Sequence, residues 1–452
     1  MNTITERLIK DLEKIRDSLL TPWQKLDAIR TFIQPCLTYA LRACPVTRLS
    51  LQNYRRKLVD VLRSICNLPK RSTAAYFFSD KSVGGLGLQD PFDERHIQKV
   101  VQTVKILSSK DPFILNIAHG QLKSVVYRCL HRDPTEQEID EFLSGSSEGD
   151  LKNHSRANNS QTLWSCCRIS AKALNVKITN AITEPTLSAN NTTSTNAKSV
   201  ASYLHRQCLE KHANKLKSLP DQGKVARCLQ TSKFPSTNSW CYDGTGIRFC
   251  DWRFIHRART NTLPTNDVKT RFSNNNSPTC RKCHSDANTE TLPHIICHCL
   301  PNMPSITSRH DQILKRITNT IHRGSYAVDQ IVPGAPGNNR PDLVVTDGNK
   351  VTIIDVTCPF ENDADALVVA AERKENKYNY LIDHFRSLNL QAKVFGFVVG
   401  PLGGWYPGNE RALDELYVSK RYRTLFRKLC CADSIKGSRN IYVEHLTGVP
   451  QY

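Results

Sequence analysis

Residues 340–360 read RPDLVVTDGNKVTIIDVTCPF, and no other stretch limits the fold so sharply. Two apolar, β-branched runs flank Gly348-Asn349. That pair suits a two-residue hairpin with glycine at the first central position. The turn dictates a register. Asp347 faces Lys350, Thr346 faces Val351, Val345 faces Thr352, Val344 faces Ile353 and Leu343 faces Ile354. Extending the pattern puts Asp342 opposite Asp355, with Cβ atoms about 4.5–5.5 Å apart. Like charges so placed repel unless something compensates. A divalent cation is the simplest compensation, and carboxylate oxygens suit magnesium or manganese. The alternative is that both acids sit at frayed strand ends in water. Val344 and Ile353 share the acids' face, so that face should be covered.

The following segment supplies the cover. Over roughly 364–388 one helical face reads Leu367, Ala371, Lys374, Tyr378, Leu381, Phe385, Leu388. The spacing alternates between three and four, the signature of a buried stripe. Lys374 is its one charge. A lysine there needs an anion or must snorkel to solvent. The paired aspartates are its natural partners, and Lys377 lies one turn on, nearer the rim. A further strand, AKVFGFVVG, follows. Strand, strand, helix, strand indicates a small α/β domain.

Upstream, CRKCHSDANTETLPHIICHC offers Cys280, Cys283, His294 and Cys299 as a Cys3His set suited to zinc. Cys297 or His298 could replace Cys299, and His284 is a further candidate. Four protein ligands leave no open position, so the metal would fold a module rather than catalyse. Arg281 and Lys282 lie between the first two cysteines and point to nucleic acid. The remaining cysteines, out of 17 in the chain, read as reduced thiols and small core hydrophobes.

Charge points the same way. Lys and Arg total 62 against 42 Asp and Glu, a net charge of +20. Such an excess favours a polyanionic partner. No apolar run is long enough for a membrane span, and the basic residues are not gathered on one amphipathic anchor. The N-terminal segment lacks the apolar core of a secretory signal. The first 110 residues read as helical. Thr21 caps a helix with Pro22 at its first position, and Leu26, Ile29, Ile33, Leu37 and Leu41 recur at helical spacing past a disruptive Pro35. A second helix near 51–69 carries Arg55, Arg56 and Lys57 on its polar face, either a solvated surface or a phosphate-tracking one. GGLGL at 84–88 is a tight turn, not a phosphate loop. Residues 181–200, rich in Asn, Thr and Ser, read as a linker with no assigned structure.

Two acids on adjoining strands plus a lysine is the constellation of PD-(D/E)xK restriction-like nucleases. Val356 and Thr357 follow Asp355, so the lysine is absent from its usual place. Arg340-Pro341-Asp342, Asp355 and KENKY on the next helix resemble the restriction-like endonuclease of site-specific non-LTR retrotransposons of the R-two class. The Arg309-His310-Asp311 triplet, the Cys-Cys-His-Cys cluster and FIHRARTNTLPT resemble motifs of the same family. LTPWQKLDAIRTFIQPCLTYALR and GGLGL resemble the thumb and post-thumb of its reverse transcriptase.

The resemblance implies a multidomain α plus α/β protein. Residues 1–110 would form a helical thumb-like and post-thumb region, and 111–240 a helical region holding the linker. A basic helix and zinc module would occupy 241–305, and a restriction-like nuclease domain 306–452. It implies a metal-dependent DNA endonuclease. Asp342 and Asp355 would hold magnesium or manganese, with Lys374 and Lys377 as catalytic cations. Arg309, His310 and Arg340 would join Arg55, Arg56, Lys57, Arg281 and Lys282 as nucleic-acid contacts. Target DNA (ribosomal DNA in this family) and element RNA would be partners, in the nucleus and without a membrane. No Asp-Asp dipeptide occurs, so the chain is expected to start after the polymerase palm and not to polymerise by itself. The rival expectation is a catalytically inactive DNA- or RNA-binding module with a structural zinc site.

Overall fold

The computed structural model describes residues 2–43, 46–151, 162–189, 192–230, 234–272, 277–283 and 288–451. The protein is mostly helical, with two small sheets. Thr21 and Gln24 cap each other reciprocally at the helix Pro22–Ala28, through the Thr21 N–H and the Gln24 N–H. Pro35 does not break the chain. A π-helical turn over Ile29–Ile33 absorbs it, and the helix Gln34–Ala43 follows directly.

Two units are distinguished. The first comprises Met1–Ser18, Ala28–Val61 and Gly87–His212. Its core gathers around α1 (Pro91–Leu107), whose Ile97, Val100 and Val104 pack with Leu122, Phe142 and Trp164. The first turn of α1 also buries Asp93 and Glu94. These acids are met by His212, Lys211 and His205 from α2 (Ala197–Lys217), at 2.5–2.7 Å. The linker assignment at 181–200 needs correcting. Strands β1 (Lys177–Thr179), β2 (Thr186–Ala189) and β3 (Thr192–Ser194) form an antiparallel meander there, and Leu187 is buried. Polar composition hid it because strands this short bury only one side chain in two.

The second unit comprises Leu19–Asp27, Leu62–Leu86 and Ala213–Tyr452. It contains α3 (Phe249–Arg259), α4 (Met303–Thr318) and a four-stranded sheet. The sheet runs β4 (Ser325–Val328), β5 (Leu343–Asp347), β6 (Lys350–Thr357), β7 (Gln391–Val398) in spatial order. β4, β5 and β6 are antiparallel neighbours, and β6 pairs with β7 in parallel. The β5–β6 register is the one the Gly348-Asn349 turn requires, residue for residue from Leu343–Ile354 to Asp347–Lys350. Gly348 takes φ +61°, which only a glycine adopts freely.

Both sheet faces are covered. On one, Leu343, Val345, Ile354 and Val356 pack with Ile313 and Ile317 of α4 and with Phe426 and Cys430 of α7 (Lys420–Thr447). On the other, Val344, Val351 and Ile353 meet Tyr378, Leu381 and Phe385. The long helix expected over 364–388 is two helices, α5 (Ala366–Tyr378) and α6 (Tyr380–Ser387), parted at Asn379. The stripe survives the break as far as Phe385, but Leu388 is 54% exposed because it lies past the end of α6. Gly396 on β7 lets α5 approach closely. A Cβ there would stand 2.5 Å from the Ala371 carbonyl oxygen.

Candidate functional site

Asp342 immediately precedes β5, and its carbonyl accepts the Asp329 N–H at 3.2 Å. Asp355 lies inside β6, beside Gly396 of β7, and is 1% exposed. Lys374 extends from α5 and forms an ion pair with Asp355 Oδ2. The close approach that Gly396 permits sets this contact, because Lys374 is one turn beyond Ala371. Lys377 is exposed and donates to the Tyr378 hydroxyl at 3.0 Å. That hydroxyl donates in turn to the Arg340 carbonyl at 2.7 Å, fixing the backbone just before Asp342.

A further group enters from α4. His310 Nε2 stands 3.0 Å from Asp342 Oδ2. The Val356 N–H donates to the same oxygen at 2.6 Å. His310 was expected to contact nucleic acid directly. Its ring meets Asp311 at 3.0 Å and Asp342, and the second placement is one no spacing rule could give across a separation of 32 positions. Burial opposes both charges of this pair, but their mutual attraction and hydrogen bonding win. Asp342 is held below the ordinary carboxylate value, and His310 is raised to about 9. Asp355 goes the other way. Burial and the neighbouring Asp342 charge raise it, and Lys374 only partly offsets them.

The donor set suits a hard cation. Both hydrogen bonds to Asp342 fall on Oδ2, which leaves Oδ1 to face a ligand. Asp355 Oδ2 is buried against the Lys374 ammonium. Two adjoining carboxylates fit magnesium, which keeps several waters and uses one or two carboxylates.

The cysteine–histidine cluster also converges. Cys280, Cys283, His294 and Cys299 place their ligating atoms within 4.8 Å of one another. Cys280 and Cys299 sulfurs are 3.9 Å apart, and Cys283 Sγ is 3.5 Å from His294 Nε2. A tetrahedral zinc with ordinary bond lengths requires edges of about 3.8 Å and about 3.6 Å. The cluster can therefore hold such a metal. A five-residue π-helix, His294–His298, creates the spacing by carrying His294 and Cys299 to the same side. The alternatives to Cys299 fall away. The Cys297 thiol points to the Cys358 carbonyl at 3.7 Å, and His298 is exposed. His284 lies outside the described residues.

Several expected nucleic-acid contacts are committed elsewhere. Arg309 is 2% exposed and donates to Ser438 Oγ at 2.9 Å, so it anchors α4 to α7 and cannot reach a phosphate. Arg281 grips Glu290 through two guanidinium nitrogens at 2.7 and 2.8 Å. Lys282 donates to Asn302 Oδ1 at 3.0 Å. Arg55 pairs with buried Asp90 at 2.7 Å. Arg56, Lys57 and Arg340 are exposed. α3 is mainly core. Trp252, Ile255, His256 and Arg259 are buried, and Arg259 donates to the Leu402 carbonyl at 2.7 and 3.0 Å. Among the described residues no helix is long and apolar enough to cross a membrane.

No family profile matches the chain. Among curated proteins, the Retrovirus-related Pol polyprotein from type-1 retrotransposable element R2 of Popillia japonica is 23% identical over 441 residues. The match covers 95% of this chain and 76% of the relative. Over almost its full length, then, the chain resembles the Pol polyprotein of a type-1 retrotransposable element of the R2 class.

Proposed function

We propose that the chain is the nucleic-acid-binding endonuclease portion of a retrotransposon Pol polyprotein. It nicks target DNA in the nucleus so that the full-length protein can copy element RNA from the exposed 3′ end. The observation that carries the reading is the convergence of Asp342, Asp355, Lys374 and His310 at one corner of the sheet. The thumb-like, zinc and nuclease regions follow the same reading, with ribosomal DNA as target.

Asp342 and Asp355 would hold magnesium or manganese. When bound, such an ion supplies Lewis-acid charge at the scissile phosphate and eases ionisation of a water. The protein's own groups do the rest. Asp355 holds the Lys374 ammonium in place, so its charge is available where negative charge grows on phosphate oxygens. The Val356 N–H and His310 fix the Asp342 carboxylate, so it needs little reorganisation when substrate arrives. Lys377 and Arg340, both exposed beside the site, provide phosphate contacts that orient the strand. The Cys280–Cys283–His294–Cys299 centre would carry structural zinc.

A divalent-dependent nicking assay on ribosomal DNA tests the reading. Asp342→Ala and Asp355→Ala should abolish nicking while DNA binding persists. Nicking at the wild-type rate in both variants would refute Asp342 and Asp355 as the catalytic pair, and wild-type protein that binds DNA without nicking it would leave an inactive binding module.

A further inference from the structure

The cysteine–histidine cluster has a neighbour that its sequence motif does not contain. α7 delivers His445 into it from 146 positions beyond Cys299. The ring is fully buried. Nε2 lies 3.2 Å from Glu290 Oε2 and 3.8 Å from Cys280 Sγ. Nδ1 lies 3.0 Å from Asn302 Nδ2 and 3.9 Å from Cys299 Sγ. Cys280, Glu290 and His445 thus form a second converging trio that shares Cys280 with the first set. His445 is either a rival ligand or a support for the ligands.

Hydrogen-bond accounting decides between these. Asn302 Oδ1 accepts from the Lys282 ammonium at 3.0 Å, which fixes the orientation of the amide. Asn302 Nδ2 therefore has two hydrogens to give. One goes to the Ile295 carbonyl at 2.9 Å, and the other goes to His445 Nδ1. Nδ1 is an acceptor, so in the neutral ring the proton sits on Nε2. That N–H points to the Glu290 carboxylate, which Arg281 holds from its other side. No lone pair is left for a metal. What the ring presents to Cys280 is an N–H edge, the arrangement by which an outer group steadies a thiolate ligand.

We propose that His445 is a positioning residue of the metal centre. It steadies the Cys280 thiolate without ligating, and so couples metal loading to the C-terminal helix. The coupling has a physical route onward. α7 also holds α4 through Glu444, which accepts from Ser305 Oγ at 2.7 Å, and through Ser438, which accepts from Arg309. α4 carries His310 to Asp342. Metal loading therefore stiffens the helix that places His310.

The inference rests on the zinc reading of the cluster, and the experiment separates the two. The full chain is purified as wild type, His445→Ala, His445→Gln and His294→Ala. Zinc content, zinc release to a chromophoric chelator, cobalt(II)-substituted absorption spectra and amide exchange of α4 and α7 are compared. Wild type and His445→Ala should each carry one zinc equivalent, and His294→Ala should lose it. Release from His445→Ala should be roughly 10–100-fold faster. Its cobalt–thiolate bands should shift, and the last turns of α7 and the first turns of α4 should exchange faster. His445→Gln, whose amide can still donate to Glu290, should release zinc at an intermediate rate. Absence of zinc from wild type would overturn the zinc reading itself. If wild type holds zinc, three results overturn the role of His445 alone. These are unchanged release and spectra in His445→Ala, loss of the zinc equivalent from His445→Ala but not from His294→Ala, and a glutamine variant no slower than alanine.

Discussion

Glu361 makes the stability of the second unit pH-dependent in a way that can be measured. Its side chain is 0% exposed. Oε1 accepts the Leu402 and Gly404 N–H groups, each at 2.9 Å, so the glycine-rich loop closes around it. Oε2 is buried without a hydrogen-bond partner. Burial dominates over those two N–H donors and raises the carboxyl from 4.5 to about 7. The folded state thus holds its proton at pH values where the unfolded chain has released it. Stability from this group is fully present below pH 4.5 and is lost as pH rises through about 7. The total loss is about 3 kcal/mol, most of it between pH 5 and pH 8. Glu361→Gln keeps an oxygen for the two N–H groups and cannot ionise. Its own packing cost is the same at every pH. Amide exchange of the protected β6 and β7 groups reports the opening free energy of this unit. Compared at equal pH, the protection ratio of variant to wild type should rise roughly 70-fold from pH 5 to pH 8. A ratio that stays constant would show that Glu361 titrates normally and that the loop carries no such penalty.

Lys374→Met should lower the nicking rate roughly 100-fold or more, with DNA affinity changed only a few-fold, because it removes charge at the reacting phosphate; single-turnover nicking beside a filter-binding titration checks both. Phe385→Ala should cost about 3–5 kcal/mol in denaturant unfolding, whereas Leu388→Ala should stay within about 0.5 kcal/mol. The contrast follows from 7% against 54% exposure in one sequence pattern. Arg56→Ala and Lys57→Ala should each lessen the slope of log affinity against log salt by about 1 for DNA, whereas Arg309→Met should leave that slope unchanged.

The corner that gathers Asp342, Asp355 and Lys374 was legible because its signals are local. A two-residue turn fixes register, and a period near 3.6 fixes which face of α5 meets the sheet. One lysine in that face then names its own partner. The break at Asn379 was not legible, since the apolar spacing continues across it. The partner of His310 was not legible for another reason. Its partner comes from a different element, and an exposed-looking basic triplet does not disclose that Arg309 points inward while His310 points to an acid. α7 hides in the same manner. It is covered on several sides by other elements, and buries Ser434, Ser438 and His445 beside Phe426 and Ile435, so no single apolar stripe marks it. The cysteine–histidine cluster was readable from spacing, but the His445 ring beside it was not.

The turn at Gly348-Asn349 has a consequence for how copies of such an element would decay. Nothing lies within 4 Å of where a Cβ on Gly348 would sit. A replacement there meets no neighbour and costs only the strain of its backbone, about 1–2 kcal/mol. Changing the number of residues is different. One codon gained or lost that the loop does not take up slips β5 against β6 by a single position and turns one aspartate to the opposite face of the sheet. Such a copy would keep its reading frame and its hairpin, yet its two acids could no longer meet. At this turn, selection acts on length far more strictly than on spelling.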